Sequence, residues 1–422
     1  LFNNHLKKHT GMTQQETNPI LGKRITVIDA LRGFALFGVM WIHMQQRFGI
    51  FSGWMFQRIE SATPMLDGWI NWLTNNVFMG RFINIFAFLF GMSFFIQMDR
   101  AHKKGIDFRK RFLWRMVILA AIGVVGSWFT YLEILTIYAF FGVLLILLFP
   151  LKNKVLMVIF ALILAGGPRW AMYGYDKLTA PAPVEQVQPA APATRAQRPI
   201  PQMEVPKTTF WTDAKNNMTG GFMRKVSYQF SMSGRGYLTF ALFILGLVVG
   251  RIRFFEHIEE ERKQNVRRLL IVLGCWVIGL LAYNWIPAPQ MAFGAPPTPT
   301  TILRATLSDV NMVLMSTAIT LAFVLLYGYA AIRKGLDALT PYGRMGLTNY
   351  ELQGIIGALL FSSWAFGSLF SPLSPTLRCL IGILFYVVQM VVSKWWLSAF
   401  KYGPWEWFWR SATYLKWQPF KK

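Results

Sequence analysis

Long apolar runs recur along the whole of this chain, and short polar segments separate them. A run of about 20 apolar residues is long enough for a helix to cross the hydrocarbon core of a bilayer. Because a backbone in lipid must satisfy its own hydrogen bonds, such runs are expected to be helical. The chain is therefore predicted to be an all-α, polytopic transmembrane helical bundle of about ten spans. These spans are placed at 26–46, 80–98, 112–130, 133–150, 155–171, 236–252, 268–285, 305–332, 346–364 and 376–398.

Composition agrees with a membrane protein. Hydrophobic residues make up 54% of the 422 residues, and the mean hydropathy is +0.37. A soluble protein of this length does not need so much apolar sequence for its core. The amphipathic stretch 66–79 indicates a re-entrant or interfacial helix before the second span. Since residues 1–19 are polar and no small-residue cleavage site follows the first apolar run, no cleavable signal peptide is expected.

The positive charge of the chain is concentrated in short loops. There are 43 Lys and Arg against 19 Asp and Glu, a net charge of +24. Most of these cations lie between apolar runs on one side, which is the distribution that cytosolic loops of membrane proteins show. Both termini are therefore predicted to be cytosolic. The lipid bilayer is the expected partner, and no nucleic-acid partner is expected.

The spans and loops suggest a division of the chain into two membrane bundles. One segment, 180–206, contains seven prolines and almost no bulky apolar residues. Such a sequence cannot bury enough surface to fold alone, so a flexible flap or linker is expected there; the linker is favoured. The predicted parts are a cytosolic tail (1–23), an N-terminal transmembrane bundle (24–171), an extracytoplasmic loop (172–235), a C-terminal transmembrane bundle (236–400) and a cytosolic amphipathic tail (401–422).

Familiar catalytic and cofactor motifs are absent from the sequence. Cys275 and Cys379 both fall within predicted spans, where cysteine is usually a small apolar residue. No cluster has the spacing of metal ligands, and neither a phosphate-binding GxxxxGK[ST] loop nor a GxSxG elbow occurs. No metal site and no tightly bound cofactor are expected. Any chemistry must therefore come from polar groups within the bundle.

Arg32 and His43 lie eleven residues apart in the first span. This separation is close to three helical turns, a rise of about 16 Å, so both side chains project from one helical face. Ionisable groups inside a membrane span commonly have a function. The pair predicts an anion-binding arginine near the cytosol and a proton-transferring histidine deeper in the bilayer. Alternatively, Arg32 extends to the headgroups and His43 bonds a neighbouring helix. Asp29 either pairs with Arg32 or is simply a charge at the helix N-terminus.

Three further polar residues occur at the starts of spans. Arg81 and Asn84 open the second span, where Arg81 marks the outer interface or faces the cavity of His43. Glu133 begins the fourth span. It is a candidate partner for His43 or Arg81, weighed equally against a simple interfacial charge.

The ninth span contains an unusually dense polar cluster. Thr348, Asn349, Tyr350, Glu351 and Gln353 lie within two helical turns. Such a cluster either faces a cavity or forms hydrogen bonds between helices. The sequence favours the cavity.

Six blocks of the sequence resemble, in order, signatures of the YeiB family of bacterial inner-membrane proteins. IDALRGFALFGV resembles LDALRGFALLGI, and RFINIFAFLFGMSFFIQ resembles FxxLFGxGF. EILTIYAFFG resembles DILxxYA, and FILGLVVGRIRFF resembles FLLGLxxGR. GRMGLTNYELQ and YGPWEWFWRSATY are similar to GRMALTNY and GPLEWLWRxLTY. The resemblance covers nearly the whole chain except the proline-rich segment, and it implies a multi-pass protein of the bacterial inner (plasma) membrane.

The resemblance extends to a wider group of transmembrane acyltransferases. Some members carry an arginine, ten residues and then a histidine in the first helix, the spacing of Arg32 and His43. Many YeiB-type chains instead have asparagine at the position of His43, so that histidine cannot be essential to a function that the whole family shares. The lysosomal member, which acetylates heparan glucosamine, uses a histidine after its first span. No histidine occurs in the matching loop here, residues 45–67.

The resemblance and the polar residues together predict an integral membrane acyltransferase. It would move an acyl group from a cytosolic acyl-CoA co-substrate to a sugar or lipid acceptor at the membrane or extracytoplasmic face. The predicted catalytic residues are His43, Glu133 and Glu351, with His43 as the base. The predicted substrate-binding residues are Arg32, Arg81, Asn84, Asn349 and Tyr350, where Arg32 holds the donor and Asn349 or Tyr350 donates to the oxyanion.

Two other functions fit the same features. A transporter or channel for an anionic solute or lipid would use the same polar cavity without chemistry. A membrane scaffold without a small-molecule function leaves the cluster in the ninth span unexplained. A homo-oligomer is compatible with all three functions.

Overall fold

The computed structural model describes residues 25–50, 62–179, 207–288 and 297–422. The predicted tail 1–23 and the proline-rich segment 180–206 lie outside these ranges. Within them the regular structure is helical, apart from one isolated bridge between Phe400 and Lys421. The helices are α1 (Thr26–Gln45), α2 (Pro64–Leu73), α3 (Arg81–His102), α4 (Arg109–Gly126), α5 (Leu135–Leu148), α6 (Asn153–Leu164), α7 (Gly167–Thr179), α8 (Phe210–Asn216), α9 (Phe222–Phe230), α10 (Arg235–Arg251), α11 (Arg262–Trp285), α12 (Pro299–Tyr327), α13 (Ala330–Asp337), α14 (Thr340–Arg344), α15 (Gly346–Phe361), α16 (Gly367–Phe370), α17 (Pro375–Ala399) and α18 (Pro404–Tyr414).

Several of these helices are long and apolar enough to cross a membrane. In the described part of the chain there are five: α1, the combined α2 and α3, α11, α12 and α17. Two bent pairs raise the number to seven if each pair is one span: α6 with α7, bent by 56°, and the helix Phe210–Phe230 with α10, bent by 61°. The other predicted spans correspond to α4, α5 and α15. Of these, α5 has 14 residues and α15 has 16, so the count of ten spans stays a prediction.

The stretch predicted to be re-entrant or interfacial is continuous with the second span. Its helix α2 passes through a π-helical turn, Thr74–Phe78, to Gly80, whose φ is +78°. α3 begins at the next residue. Together α2 and α3 form a 39-residue apolar unit.

The segment predicted to be an extracytoplasmic loop contains helix in its described part. α8, a π-helical turn over Asn217–Gly221 and α9 follow one another without a break. Their buried residues, at positions 214, 221, 225 and 229, recur at intervals of seven and four. These intervals place them on one helical face. Residues 210–230 therefore pack against the bundle along that face.

Two antiparallel helices, α1 and α3, define the ends of the bundle. Near the start of α1, Arg32 bonds Ser93 in the second half of α3 at 3.1 Å. Just after the end of α1, Gln46 approaches Met79, which precedes α3. We call these the Arg32 end and the His43 end of the bundle.

Candidate functional site

Among the cavities lined by described residues, the two of greatest volume lie at opposite ends of α1. The first, the Arg32 cavity, has a volume of about 300 Å³ and is lined by Arg32, the second half of α3 and the start of α15. The second, the His43 cavity, has a volume of about 560 Å³ and is lined by His43, the start of α3 and α9. Among the described residues Tyr350 is the one side chain that lines both. Arg32 and His43 thus lie in separate cavities that share a wall, not along one open path.

The Arg32 cavity is strongly basic. Five cations line it, and Glu406 is the one acidic side chain among its described lining residues; the cations are Arg32, Arg115, Arg344, Lys401 and Arg410. The Arg115 guanidinium lies 3.6 Å from the centre of the Trp409 ring. This excess of positive charge suits an anionic ligand.

Arg32 itself is largely occupied by protein groups. Its Nη1 forms an ion pair with Asp29 Oδ1 at 3.0 Å, the pairing that their three-residue spacing predicts. Its Nη2 donates to Ser93 Oγ at 3.1 Å. Since Asp29 neutralises Arg32, this arginine adds little to the net charge of the cavity.

Glu406 joins the C-terminal tail to the ninth predicted span. Its Oε1 accepts hydrogen bonds from the backbone N–H groups of Leu347 and Thr348, and its Oε2 accepts from Thr348 Oγ1 at 2.6 Å. A carboxylate at a helix N-terminus satisfies amides that have no partner within the helix. α18 is thereby fixed beside the cavity.

His43 lies in the other cavity with little restraint from protein groups. Its ring is 5.2 Å from the Phe48 ring and 6.4 Å from the Tyr350 ring, between centroids. No hydrogen bond joins it to any group that the structure describes. The alternative in which His43 bonds a neighbouring helix is therefore not seen, and its ring nitrogens are available to a ligand.

Glu133 lines the His43 cavity and is tied to a lysine that the sequence analysis missed. Lys225 Nζ lies 3.3 Å from Glu133 Oε2 and also donates to Thr136 Oγ1 at 3.0 Å. Both charged side chains are almost fully buried. Glu133 thus pairs with Lys225, not with His43 or Arg81. The signal available in the sequence was the spacing of Lys225 and Gln229, which are four residues apart and so lie on one face of a helix.

Glu351 packs beside Glu133 against a glycine of α4. A Cβ at Gly126 would lie 2.7 Å from Glu351 Oε2 and 3.1 Å from Glu133 Cγ. Glu351 is buried, and its Oε1 has no hydrogen-bond partner among the described groups. The two predicted carboxylates are therefore neighbours, although only Glu133 reaches the cavity.

Asn84 supports a second cation that the sequence analysis missed. Arg235 Nη2 donates to Asn84 Oδ1 at 2.5 Å and to the Gly80 carbonyl at 3.2 Å. Arg235 lines the His43 cavity, whereas Asn84 does not. Asn84 therefore orients an arginine that borders the cavity.

Arg81 and Asn349 do not reach either cavity. Arg81 Nη1 donates to the carbonyls of Asn75 and Met79, and so closes the π-helical turn before α3. Asn349 Nδ2 donates to the Tyr342 carbonyl and to Ser393 Oγ, both at 3.0 Å. The bond to Ser393 joins α15 to α17. For Asn349 this is the hydrogen bonding between helices that was the alternative to a role in a cavity.

Tyr350 is the polar group of the ninth predicted span that faces both cavities. Its hydroxyl accepts a hydrogen bond from the Ile134 backbone N–H at 3.1 Å. A tyrosine hydroxyl can both accept and donate, so its own proton stays available to a ligand. Phe86 stacks on Tyr350 with a centroid distance of 6.5 Å. We call Tyr350, Phe86 and Ile134 the partition between the cavities.

Comparisons with known proteins identify uncharacterised bacterial relatives. Residues 249–416 match the family described as protein of unknown function (DUF418). The chain is 27% identical over 418 residues to the uncharacterized protein YxaH of Bacillus subtilis (strain 168), covering 96% of this chain and 97% of the relative. It is 24% identical over 404 residues to an uncharacterized 39.9 kDa protein from the amylase 3' region of Bacillus acidopullulyticus, covering 93% of this chain and 95% of the relative. No solved structure matches significantly. The chain is thus similar, over nearly its whole length, to uncharacterised bacterial proteins.

Proposed function

We propose that this protein is a membrane acyltransferase that brings an acyl donor and an acceptor together from opposite ends of the bundle. The observation that supports this proposal is the partition at Tyr350, which borders a basic cavity on one side and the cavity of a free histidine on the other. A donor such as acyl-CoA presents phosphates, which suit the cations of the Arg32 cavity. The acceptor enters the His43 cavity.

In this proposal the two substrates meet when the partition at Tyr350 moves aside, and the residues then assist a transfer step. As the acceptor hydroxyl oxygen attacks the thioester carbonyl carbon, His43 takes the hydroxyl proton. The developing oxyanion accepts a hydrogen bond from the Tyr350 hydroxyl. The carbon–sulfur bond then breaks, and His43 returns the proton to the thiolate. Acyl ester and free thiol are the products, and no redox partner is needed.

Substitution of His43 tests the step. In proteoliposomes whose lipid headgroups carry free hydroxyls as the acceptor, supplied with acetyl-, butyryl- or palmitoyl-CoA, we expect thiol release from the wild type and a loss of about 10²–10⁴-fold in His43→Ala. His43→Asn keeps a hydrogen-bonding side chain that cannot accept a proton at neutral pH, so we expect the same loss. Full activity in a folded His43→Asn protein would contradict the role of base and direct the search to Glu133 or Glu351.

Donor binding is measured separately from turnover. We expect calorimetry to show acyl-CoA binding that weakens with salt, because arginine–phosphate contacts are screened by ions. Arg115→Ala should reduce the affinity, whereas Lys104→Ala, an exposed cation away from the cavity, should not. No heat with any of the three thioesters would argue against an acyl-CoA donor.

Transport of an anionic solute or lipid is the second candidate. It is favoured by one observation, namely that two cavities at opposite ends of α1, which share one lining side chain, suit alternating access. A transporter would move labelled substrate across the vesicle membrane without releasing thiol. Thiol release that requires an acceptor would instead favour the acyltransferase.

A further inference from the structure

Two residues that line the His43 cavity each have a buried side-chain atom that no described group pairs. Arg235 is 8% exposed and Gln229 is 4% exposed, and both residues line the cavity. Arg235 Nη1 and Gln229 Oε1 have no hydrogen-bond partner among the described groups. Because buried polar atoms are normally paired, and an unpaired one destabilises the fold, these two atoms indicate a ligand that completes them.

The two atoms are of opposite kinds. A guanidinium nitrogen can only donate a hydrogen bond, and an amide oxygen can only accept one. A ligand that satisfies both must therefore present an acceptor and a hydroxyl or amine donor. A sulfate or halide ion has no donor, and a hydrocarbon chain has neither a donor nor an acceptor.

The charge of the cavity defines the acceptor part of the ligand. Arg47, Arg224, Lys225 and Arg235 line it, and Glu133 is the one acidic side chain among its described lining residues. Glu133 is already paired with Lys225. The other three cations are arginines: Arg47 donates to the Ser371 carbonyl, Arg224 lies over the Tyr131 ring, and Arg235 donates to Asn84. Planar guanidinium groups match phosphate geometry.

We propose that the His43 cavity binds a polyol phosphate, a phosphate ester that also carries free hydroxyl groups. The phosphate contacts Arg235 Nη1, and a hydroxyl donates to Gln229 Oε1. Asn84 is a positioning residue, since it holds the other nitrogen of Arg235 at 2.5 Å. That this molecule is the acyl acceptor rests on the proposed function, but its binding does not.

The same chemistry occurs in a lipid headgroup and in a soluble metabolite, and two probes distinguish these sources. Calorimetry of the purified full-length protein with glycerol 3-phosphate tests the soluble source. Native mass spectrometry of protein from nanodiscs of phosphatidylglycerol, compared with phosphatidylcholine, tests the lipid source. We expect saturable binding of glycerol 3-phosphate or selective retention of phosphatidylglycerol; either result supports the site and identifies its source.

Variants connect the binding to the two atoms. Arg235→Ala should weaken binding about tenfold or more, because it removes a charge-assisted hydrogen bond, and Arg235→Lys should restore part of it. Gln229→Leu should weaken glycerol 3-phosphate binding and leave sulfate binding unchanged, because sulfate has no hydroxyl that could donate to Gln229. Arg304→Ala is the matched control, since Arg304 donates to the carbonyls of Tyr283 and Ile286 and does not line the cavity.

Two results would overturn the proposal: binding of neither probe to the wild type, or equal affinity in folded Arg235→Ala and wild-type protein. These measurements contain no acyl donor. A protein that binds polyol phosphate but never releases thiol would therefore refute the proposed function alone. Thiol release with an acceptor that contains no phosphate, without polyol phosphate binding, would refute this inference alone.

Discussion

At the scale of single residues, the notable feature is a buried ion pair between α9 and a residue just before α5. Lys225 and Glu133 are both nearly inaccessible and meet at 3.3 Å. Such a pair contributes little net stability relative to apolar residues, but removal of one partner leaves an uncompensated buried charge. The pair therefore constrains where α9 docks against the start of α5.

A double substitution tests this pairing. Lys225→Met should destabilise the protein by about 3–5 kcal/mol, because Glu133 is then buried without its counter-charge. Adding Glu133→Gln should recover most of that loss. Melting temperatures in detergent report both effects, and equal destabilisation by the single and double variants would show that Lys225 contributes mainly through packing.

At the scale of elements, α3 and α10 approach more closely than side chains permit. A Cβ at Gly91 would lie 2.0 Å from the Phe243 carbonyl oxygen, and a Cβ at Gly246 would lie 2.0 Å from the Phe88 carbonyl oxygen. Each helix thus places a glycine against the backbone of the other, as small residues do at helix interfaces in membranes. This contact positions the start of α10, where Arg235 lies.

Adding one methyl group at this interface should separate the two helices. Gly246→Ala is expected to lower the melting temperature strongly, since the obstructing atom belongs to the backbone of α3. Gly274→Ala in α11 is the control, because nothing lies within 4 Å of its Cβ position. An unchanged melting temperature in Gly246→Ala would contradict this close contact.

At the scale of the whole molecule, the sequence predicts the long helices well and the cavities only in part. Apolar run length alone places α1 at 26–46, against the observed Thr26–Gln45. It could not show that Lys225 is buried, because its partner Glu133 is 92 residues away and Lys225 lies in a polar stretch. Likewise, the spacing of Arg32 and His43 fixes their common face, but Tyr350 of another helix divides that face into two cavities.

The orientation of the bundle in the membrane is a separate prediction. Charge asymmetry places the loop after α3 in the cytosol and the turn between α8 and α9 outside. In a Cys275→Ala/Cys379→Ala background, an impermeant maleimide added to intact cells should label Thr219→Cys and spare Lys104→Cys; both positions are exposed. The reverse labelling would invert the proposed direction of transfer.

The shared wall at Tyr350 also has an electrical consequence. With solvent and ions in both cavities, the conducting phases on the two sides of the membrane come within a few side chains of each other. The membrane potential, about 2.3 kcal/mol per elementary charge for each 100 mV, is then concentrated across the partition instead of over the full thickness of the hydrocarbon. Charge that moves between His43 and a thiolate near Tyr350 would cross this steep field. The rate of thiol release in energised vesicles should therefore depend on the applied voltage, and a voltage-independent rate would show that the reacting atoms lie outside the field.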